Sequence, residues 1–463
     1  MTIHTHKKAF LLAGLIATGL LAGCRQSPEP EIDPTAFKPE GIALNTLPAD
    51  VAIRWADMAL RITTRTPGNS PTYASRAFGY LGLTMYETTV FGNHDARTLV
   101  GQLNGLKRLP YPQSGKTYDW VLSLNAGQAY LLKQLYEHTS VFNQRSVDSL
   151  EQVVRRERID DVDAETVTRS EEYGRSVARA IYEWSASDGG HQGYINSFPM
   201  DYKLPGVPGT WLPPSDGQVA IPRALHPHWG RNRTFVPANS RMPMARPVAY
   251  STNPQSAYYA LYKAVYDKNK QLTQEEKEIA LWWADDPSET FTPPGHSFNL
   301  ANITVKTAQP GLAKAAETYA RVGMSVADAF IICWKCKFTF HNERPSTFVR
   351  ANIDPRWFPF WPEPPFPGFS SGHATQSAAT ATVLTDLYGL RFALTDSSHV
   401  GRHEDLVRNV SYKPRRFNSF WETAEESAWS RFLGGIHTQQ DNEAGLSEGR
   451  KIGANINQLV WKK

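Results

Sequence analysis

Three spaced segments in the last third of the chain gather the residue types that bind and transform an oxyanion. They are Lys337-x6-Arg344-Pro345, Ser371-Gly372-His373 and Ser430-Arg431-x5-His437-x3-Asp441. Their three permanent cations, two histidines and one Ser-Gly turn suit a tetrahedral or trigonal anion such as phosphate. They do not suit a divalent metal, because Lys and Arg offer protons and no free electron pair. The formal net charge is only +4. That is too little for a general nucleic-acid binder, so no nucleic acid is expected and the cations must act locally.

Each segment has a bland reading on its own. Lys-x6-Arg-Pro alone is a solvated charge pair. Pro345 keeps Arg344 out of helical geometry, which would place its fork at a turn beside Lys337. Ser-Gly-His alone is a simple N-cap. A glycine at a helix start lets an anion approach the free N–H groups and the positive end of the dipole. Ser371 adds a hydroxyl there, and His373 can move protons near neutral pH. His437 and Asp441 alone are an ordinary i, i+4 pair. If the helix starts at His437, they share a face, and the carboxylate fixes the tautomer and makes the other nitrogen a better donor of electrons. All three segments in one chain make a single demand, a cationic pocket with an imidazole behind one anion.

The elements that must position these residues read as helices. Ala74, Ala77, Phe78, Leu81 and Met85 follow helical spacing, and helices are expected at about 117–137, 144–157 and 164–187. Residues 189–253 are dense in Pro, Gly, Trp and His and read as an ordered aromatic cover over a cleft. Helices resume near Ser256, with Thr273-x-x-Glu276 as a capping box. Pro310 opens the longest helix, which leads through Trp334 to Lys337. Further helices are expected from Ser371, over about 417–432, and from about His437. No strand-rich region or repeat is visible. The fold class is therefore all-α, built as two helix bundles, with an N-terminal domain over 47–253 and a C-terminal domain over 254–463 that carries the site.

The first residues read as an export signal. Lys7 and Lys8 precede an apolar stretch too short to span a bilayer. It ends in Leu21-Ala22-Gly23-Cys24, which resembles a bacterial lipobox. The expectation is a signal peptide over 1–23, a lipidated Cys24 as the membrane attachment, and a flexible tether over 24–46. Arg25 after the cysteine favours the outer membrane. The other cysteines, Cys333 and Cys336, form C-x-x-C within a helical pattern. The sequence context argues against a thioredoxin-like or zinc role, leaving a disulfide or two packed thiols.

The three segments resemble the signature of the type 2 phosphatidic acid phosphatase and vanadium haloperoxidase superfamily. The likeness covers 337–441, with one departure: Ser370 stands where the family usually has Pro. Trp334, three before the Lys, and Phe366, seven before His373, are similar to vanadium chloroperoxidases and bacterial iodoperoxidases. So are Trp283-Ala284-Asp285-Asp286 and Thr292-Pro293-Pro294-Gly295-His296. The resemblance implies one vanadate per chain, bonded by His437. Lys337, Arg344, Arg431, Ser371 and Gly372 would hold its oxygens, and His373 would be the acid–base. Trp334 and Phe366 would wall the halide side, and Asp441 would support His437. Asp285, with Asp286 next, would steady Arg431. Hydrogen peroxide and a halide, iodide foremost, are the implied substrates, and oligomeric state is unreadable. Two other functions fit parts of the pattern. An acid phosphatase would use His437 as nucleophile, and a non-catalytic lipoprotein would only bind an oxyanion.

Overall fold

The computed structural model describes residues 44–463 except position 288. The expected signal peptide, Cys24 and all but the end of the tether lie outside the described residues. Among the described residues there are fourteen α-helices and a single two-stranded ribbon, so the fold is all-α. The described residues form one compact unit. The boundary expected at 253/254 marks the return of regular helix after a long irregular stretch.

The first half holds α1 (Asp50–Arg65), α2 (Pro71–Glu87), α3 (Trp120–Leu135), α4 (Val141–Arg156), α5 (Ala164–Ser185) and the one-turn α6 (Pro237–Ser240). The second holds α7 (Ala257–Asn269), α8 (Gln274–Trp282), α9 (Thr292–Ala308), α10 (Leu312–Phe340), α11 (Pro345–Asn352), α12 (Gly372–Tyr388), α13 (Phe420–Leu433) and α14 (Gln439–Asn457). Many starts are written in the sequence. Ser70, Asp119, Ser140, Asp163 and Ser256 each accept an N–H from the third residue onward. Thr273 and Glu276 close the expected capping box. Four elements were not foreseen: α6, α9, α11 and the ribbon of β1 (Leu394–Asp396) with antiparallel β2 (Arg415–Phe417). The ribbon is why the helix expected from 417 starts only at Phe420.

Two close helix contacts place the site. The 29-residue α10 lies against α2 with backbones touching. A Cβ on Gly82 would come within 2.2 Å of the Tyr319 carbonyl oxygen, and one on Gly323 within 2.3 Å of that of Phe78. Helix α14 lies as closely on α12. A Cβ on Gly449 would sit 2.1 Å from the Thr375 carbonyl oxygen. This second contact locks together the helix starts that carry Ser371–His373 and His437–Asp441.

The 189–253 stretch is an ordered cover. Asp328 of α10 takes the N–H groups of Phe235 and Val236 and the Asn239 amide, at 2.6, 3.2 and 2.7 Å. The backbone N–H groups of Trp211, Gln218 and Leu225 donate to the carbonyls of His341, Glu363 and Pro365. Cys333 and Cys336 are buried free thiols one turn apart on α10, not a disulfide. No helix among the described residues is long and apolar enough to cross a membrane.

Candidate active site

Lys337 occupies the last turn of α10 and is fully buried. A cation there also offsets the negative end of the helix dipole. Its three N–H bonds go to the carbonyls of Pro367, Gly368 and Ser370, at 2.8, 2.7 and 2.6 Å. Those three bonds use its full donor set. Lys337 therefore buckles the turn before Ser371 and gives the pocket charge more than a free donor. Arg344 is the extended residue before α11, as Pro345 requires. Its Nε donates to Phe366 O at 2.7 Å and its Nη1 to Ile436 O at 2.8 Å. The same Nη1 lies 3.5 Å from His437 Nε2. Arg431 ends α13 and donates from Nη1 to the Trp283 carbonyl at 2.9 Å. Its buried Nε has no partner.

Ser371 caps α12, its Oγ accepting from Ala374 N at 3.4 Å. Its own N–H donates to the Asp441 carbonyl at 3.0 Å, joining the second segment to the third. Gly372 and His373 follow in the first turn, where helix N–H groups lack intrahelical acceptors. Burial lowers the His373 pKa well below the ordinary histidine value, with Arg431 adding to the effect. The Trp283 backbone offsets part of that lowering, and the ring Nε2 has no partner. Ser370, the departure from the family pattern, does work a proline could not: its hydroxyl donates to Glu448 on α14 at 2.9 Å.

His437 precedes Thr438, the N-cap of α14, and so lies outside the helix. The contact with Asp441 does not come from a shared helical face. It arises because Asp441 folds back to close a capping box: its Oδ2 accepts from Thr438 N and meets His437 Nδ1, both at 3.0 Å. Burial pushes the His437 pKa well down, and Arg344, Lys337 and Arg431 push it further. The ring is neutral, with its Nδ1 proton on the Asp441 side. Its Nε2 carries the electron pair, on the side of the three cations, with only the long 3.5 Å contact from Arg344 Nη1.

Those cations lack what buried cations usually have. Lys337, Arg344 and Arg431 are 0%, 0% and 2% exposed. Among the described residues, none of them forms an ion pair with a carboxylate within 4.0 Å. Burial lowers their pKa values to about 8, 10 and 10. Unpaired buried charge is costly unless an opposite charge arrives. The unpartnered Arg431 Nε and His373 Nε2 mark where its oxygens fit. The donor set suits vanadate: positive charge, N–H and O–H donors, and one imidazole electron pair.

Asp285 and Asp286 divide the role foreseen for one carboxylate. Asp285 is turned away from Arg431 and bound by His296 and His399. Asp286 gives the larger attraction for Arg431 and takes a bond from Gln218 at 3.0 Å. On the other side Trp334 and Phe366 pack with ring centres 4.8 Å apart, and Phe366 lies 5.1 Å from the Arg344 guanidinium. A cavity of about 990 Å³ opens from Gly372, His373, Arg431 and His437 past Trp334 and Phe366. Its outer wall includes Tyr194, Phe198 and Met200 of the cover and Ser70 before α2. The wider support was not foreseen, notably Glu448, His399, Asp396 and Glu363, whose charge is the largest attraction on Arg344. Only the Gly445-x3-Gly449-x3-Gly453 spacing gave a signal, the mark of a helix meant for close packing.

The family model described as the VCPO second helical-bundle domain matches residues 317–462. Among curated proteins, the vanadium chloroperoxidase of Curvularia inaequalis is 27% identical over 222 residues. That match covers 35% of this chain and spans only 36% of the relative's length. A solved structure, the first bacterial vanadium-dependent iodoperoxidase, is 30% identical with a TM-score of 0.79, over 92% of this chain and 98% of that one. A holo-type bacterial vanadium-dependent chloroperoxidase shares the fold at 15% identity and a TM-score of 0.61, over 91% and 94% of the two chains.

Proposed function

The chain belongs to the vanadium haloperoxidase family, and from that premise we propose that it oxidises halide with hydrogen peroxide at a vanadate held among Lys337, Arg344, Arg431 and His437. The observation that carries this reading is the set of three buried cations without carboxylate partners around a neutral imidazole. Iodide is the favoured halide, on the strength of the 30% identical iodoperoxidase. The aromatic wall of Trp334 and Phe366 favours halide chemistry over the phosphatase reading, since phosphoryl transfer needs no such wall.

Bound vanadate would supply a Lewis-acid centre that activates hydrogen peroxide toward halide attack. His437 Nε2 would be its protein ligand, oriented by Asp441 on the opposite nitrogen. Arg344, Arg431, Ser371 Oγ and the Gly372 N–H would hold oxygens, with Lys337 adding fixed charge. This is preorganised electrostatics, costing no reorganisation during reaction. His373 Nε2, on a ring that burial keeps neutral and without a protein partner, would take a proton from incoming peroxide. Trp334 and Phe366 exclude water from the halide side. Export and anchoring through a lipidated Cys24 complete the proposal.

The test is a halide panel on apo-protein reconstituted with orthovanadate. Vanadate-dependent iodide oxidation by peroxide is the expected result. Absence of any vanadate-dependent halide oxidation contradicts the proposal, and phosphomonoester turnover that vanadate inhibits would revive the phosphatase alternative.

A further inference from the structure

Behind Arg431, residues 283–286 form a strap off the end of α8. The Trp283 carbonyl receives Arg431 Nη1 at 2.9 Å, and the Trp283 backbone also favours the protonated His373 ring. Asp286, at the other end, supplies the leading attraction on Arg431. Between them Asp285 has φ 53°, a left-handed conformation uncommon outside glycine and more open to Asp than to most residues.

The surroundings that hold it are specific. His296 Nδ1 meets the two Asp285 carboxylate oxygens at 3.0 and 2.9 Å, and His399 Nε2 meets one of them at 2.9 Å. The far nitrogen of His296 meets Asp396 at 2.7 Å. The His296 ring also stacks on the Trp283 indole, with centres 4.4 Å apart and planes at 18°. Trp283 Nε1 is tied to Glu426 at 2.9 Å. His296, Asp285, Asp396 and His399 are all at most 2% exposed.

Asp285, His296 and His399 converge closely enough to suggest a metal site. The bonding of His296 argues otherwise. Each of its ring nitrogens faces a carboxylate, so both carry protons and neither has an electron pair for a metal. Burial alone would lower its pKa, but Asp285 and Asp396 lift it to about 10. A cation near the N-terminal end of α9 opposes the helix dipole, and the two carboxylates account for its being there.

We propose that His296 is a positioning residue for the active site: clamped between Asp285 and Asp396 and stacked on Trp283, it sets where the Trp283 carbonyl directs Arg431 and His373. The residue touches neither anion nor substrate and acts through the strap. The inference rests on the haloperoxidase reading only for the identity of the anion.

The experiment compares wild type, His296→Gln, His296→Arg and Asp396→Asn as full-length apo-proteins. Two quantities are read: orthovanadate Kd by calorimetry, and the tautomer of His373 by ¹⁵N NMR of histidine-labelled protein. Gln removes the cation; Arg keeps a cation with donors toward both carboxylates. Expected is a roughly ten- to hundred-fold weaker orthovanadate Kd for His296→Gln, the loss typical of a removed outer partner. A mixed His373 tautomer should accompany it, His296→Arg should recover most of the loss, and Asp396→Asn should show a smaller change of the same kind. Unchanged Kd and His373 signals in His296→Gln overturn the proposal, even if its melting temperature falls. If His296→Gln does not fold, Asp396→Asn decides by the same readouts. If wild type binds no orthovanadate, the haloperoxidase reading fails, while the His373 signals still decide the role of His296.

Discussion

Two buried arginine environments in this molecule solve the same problem in opposite ways. Arg76 of α2 donates from Nε to Asp188 at 2.6 Å and from Nη2 to the Ser185 carbonyl at 2.8 Å, with the Tyr80 ring 4.9 Å away. Asp188, Tyr80 and Tyr73 outweigh burial and raise its pKa. Arg344 and Arg431 are as deeply buried, yet they bond carbonyls, lack a carboxylate in contact, and have pKa values lowered to about 10 by burial. The chain can give a buried arginine a carboxylate partner where structure is the purpose. Leaving three cations unpaired around one imidazole is a different arrangement, complete only when an anion arrives from outside.

The sharpest way to break this contrast is at His373. His373→Ala should lower halide turnover by about 10²–10⁴-fold, the usual contribution of a positioned acid–base, while orthovanadate still protects the protein. Next come the arginines themselves. Arg76→Met strands the buried Asp188 and should cost about 3–5 kcal/mol of stability in denaturant unfolding. Arg431→Met removes an unpaired charge, so apo stability should hold or rise while orthovanadate binding collapses. Equal destabilisation by the two substitutions would erase the distinction drawn here.

A smaller effect concerns pH. The folded Lys337 has a pKa lowered by burial to about 8, against 10.5 for the ordinary side chain. The unfolded chain therefore holds more protons between those values, so the Lys337 contribution makes the apo-protein more stable as pH rises from about 8 to 10.5. Orthovanadate affinity should move the other way, falling above about pH 8 as the pocket loses a charge. Calorimetry and thermal unfolding across that range check both slopes, and parallel slopes would mean that Lys337 does not serve the anion.

How much was legible in the sequence follows the same division. The gathering of site residues was, because a cationic pocket constrains residue type at Lys337, Arg344, Ser371, Gly372, His373, Arg431 and His437. Helices were too, where a cap or a proline wrote their start, as at Ser256, Thr273 and Ser371. What could not be read depends on neighbours distant in the chain. Nothing local says that the three Lys337 protons go to Pro367, Gly368 and Ser370, or that Asp285 faces His296 while Asp286 attracts Arg431. The His437–Asp441 contact was foreseen for the wrong reason, a helical face, because the residue before an N-cap and the third residue of its capping box are also i, i+4. The close seam of α12 and α14 was visible as glycines at every fourth position and went unread, since small residues at that spacing acquire meaning only with a partner helix.

Titration of the apo-protein with orthovanadate, followed by calorimetry, tests the central idea most directly. A single saturable site per chain that disappears in His437→Ala, with the fold intact by circular dichroism, is the predicted result. No binding, or binding that His437→Ala leaves unchanged, would show that the unpaired cations are not gathered around that imidazole for an anion.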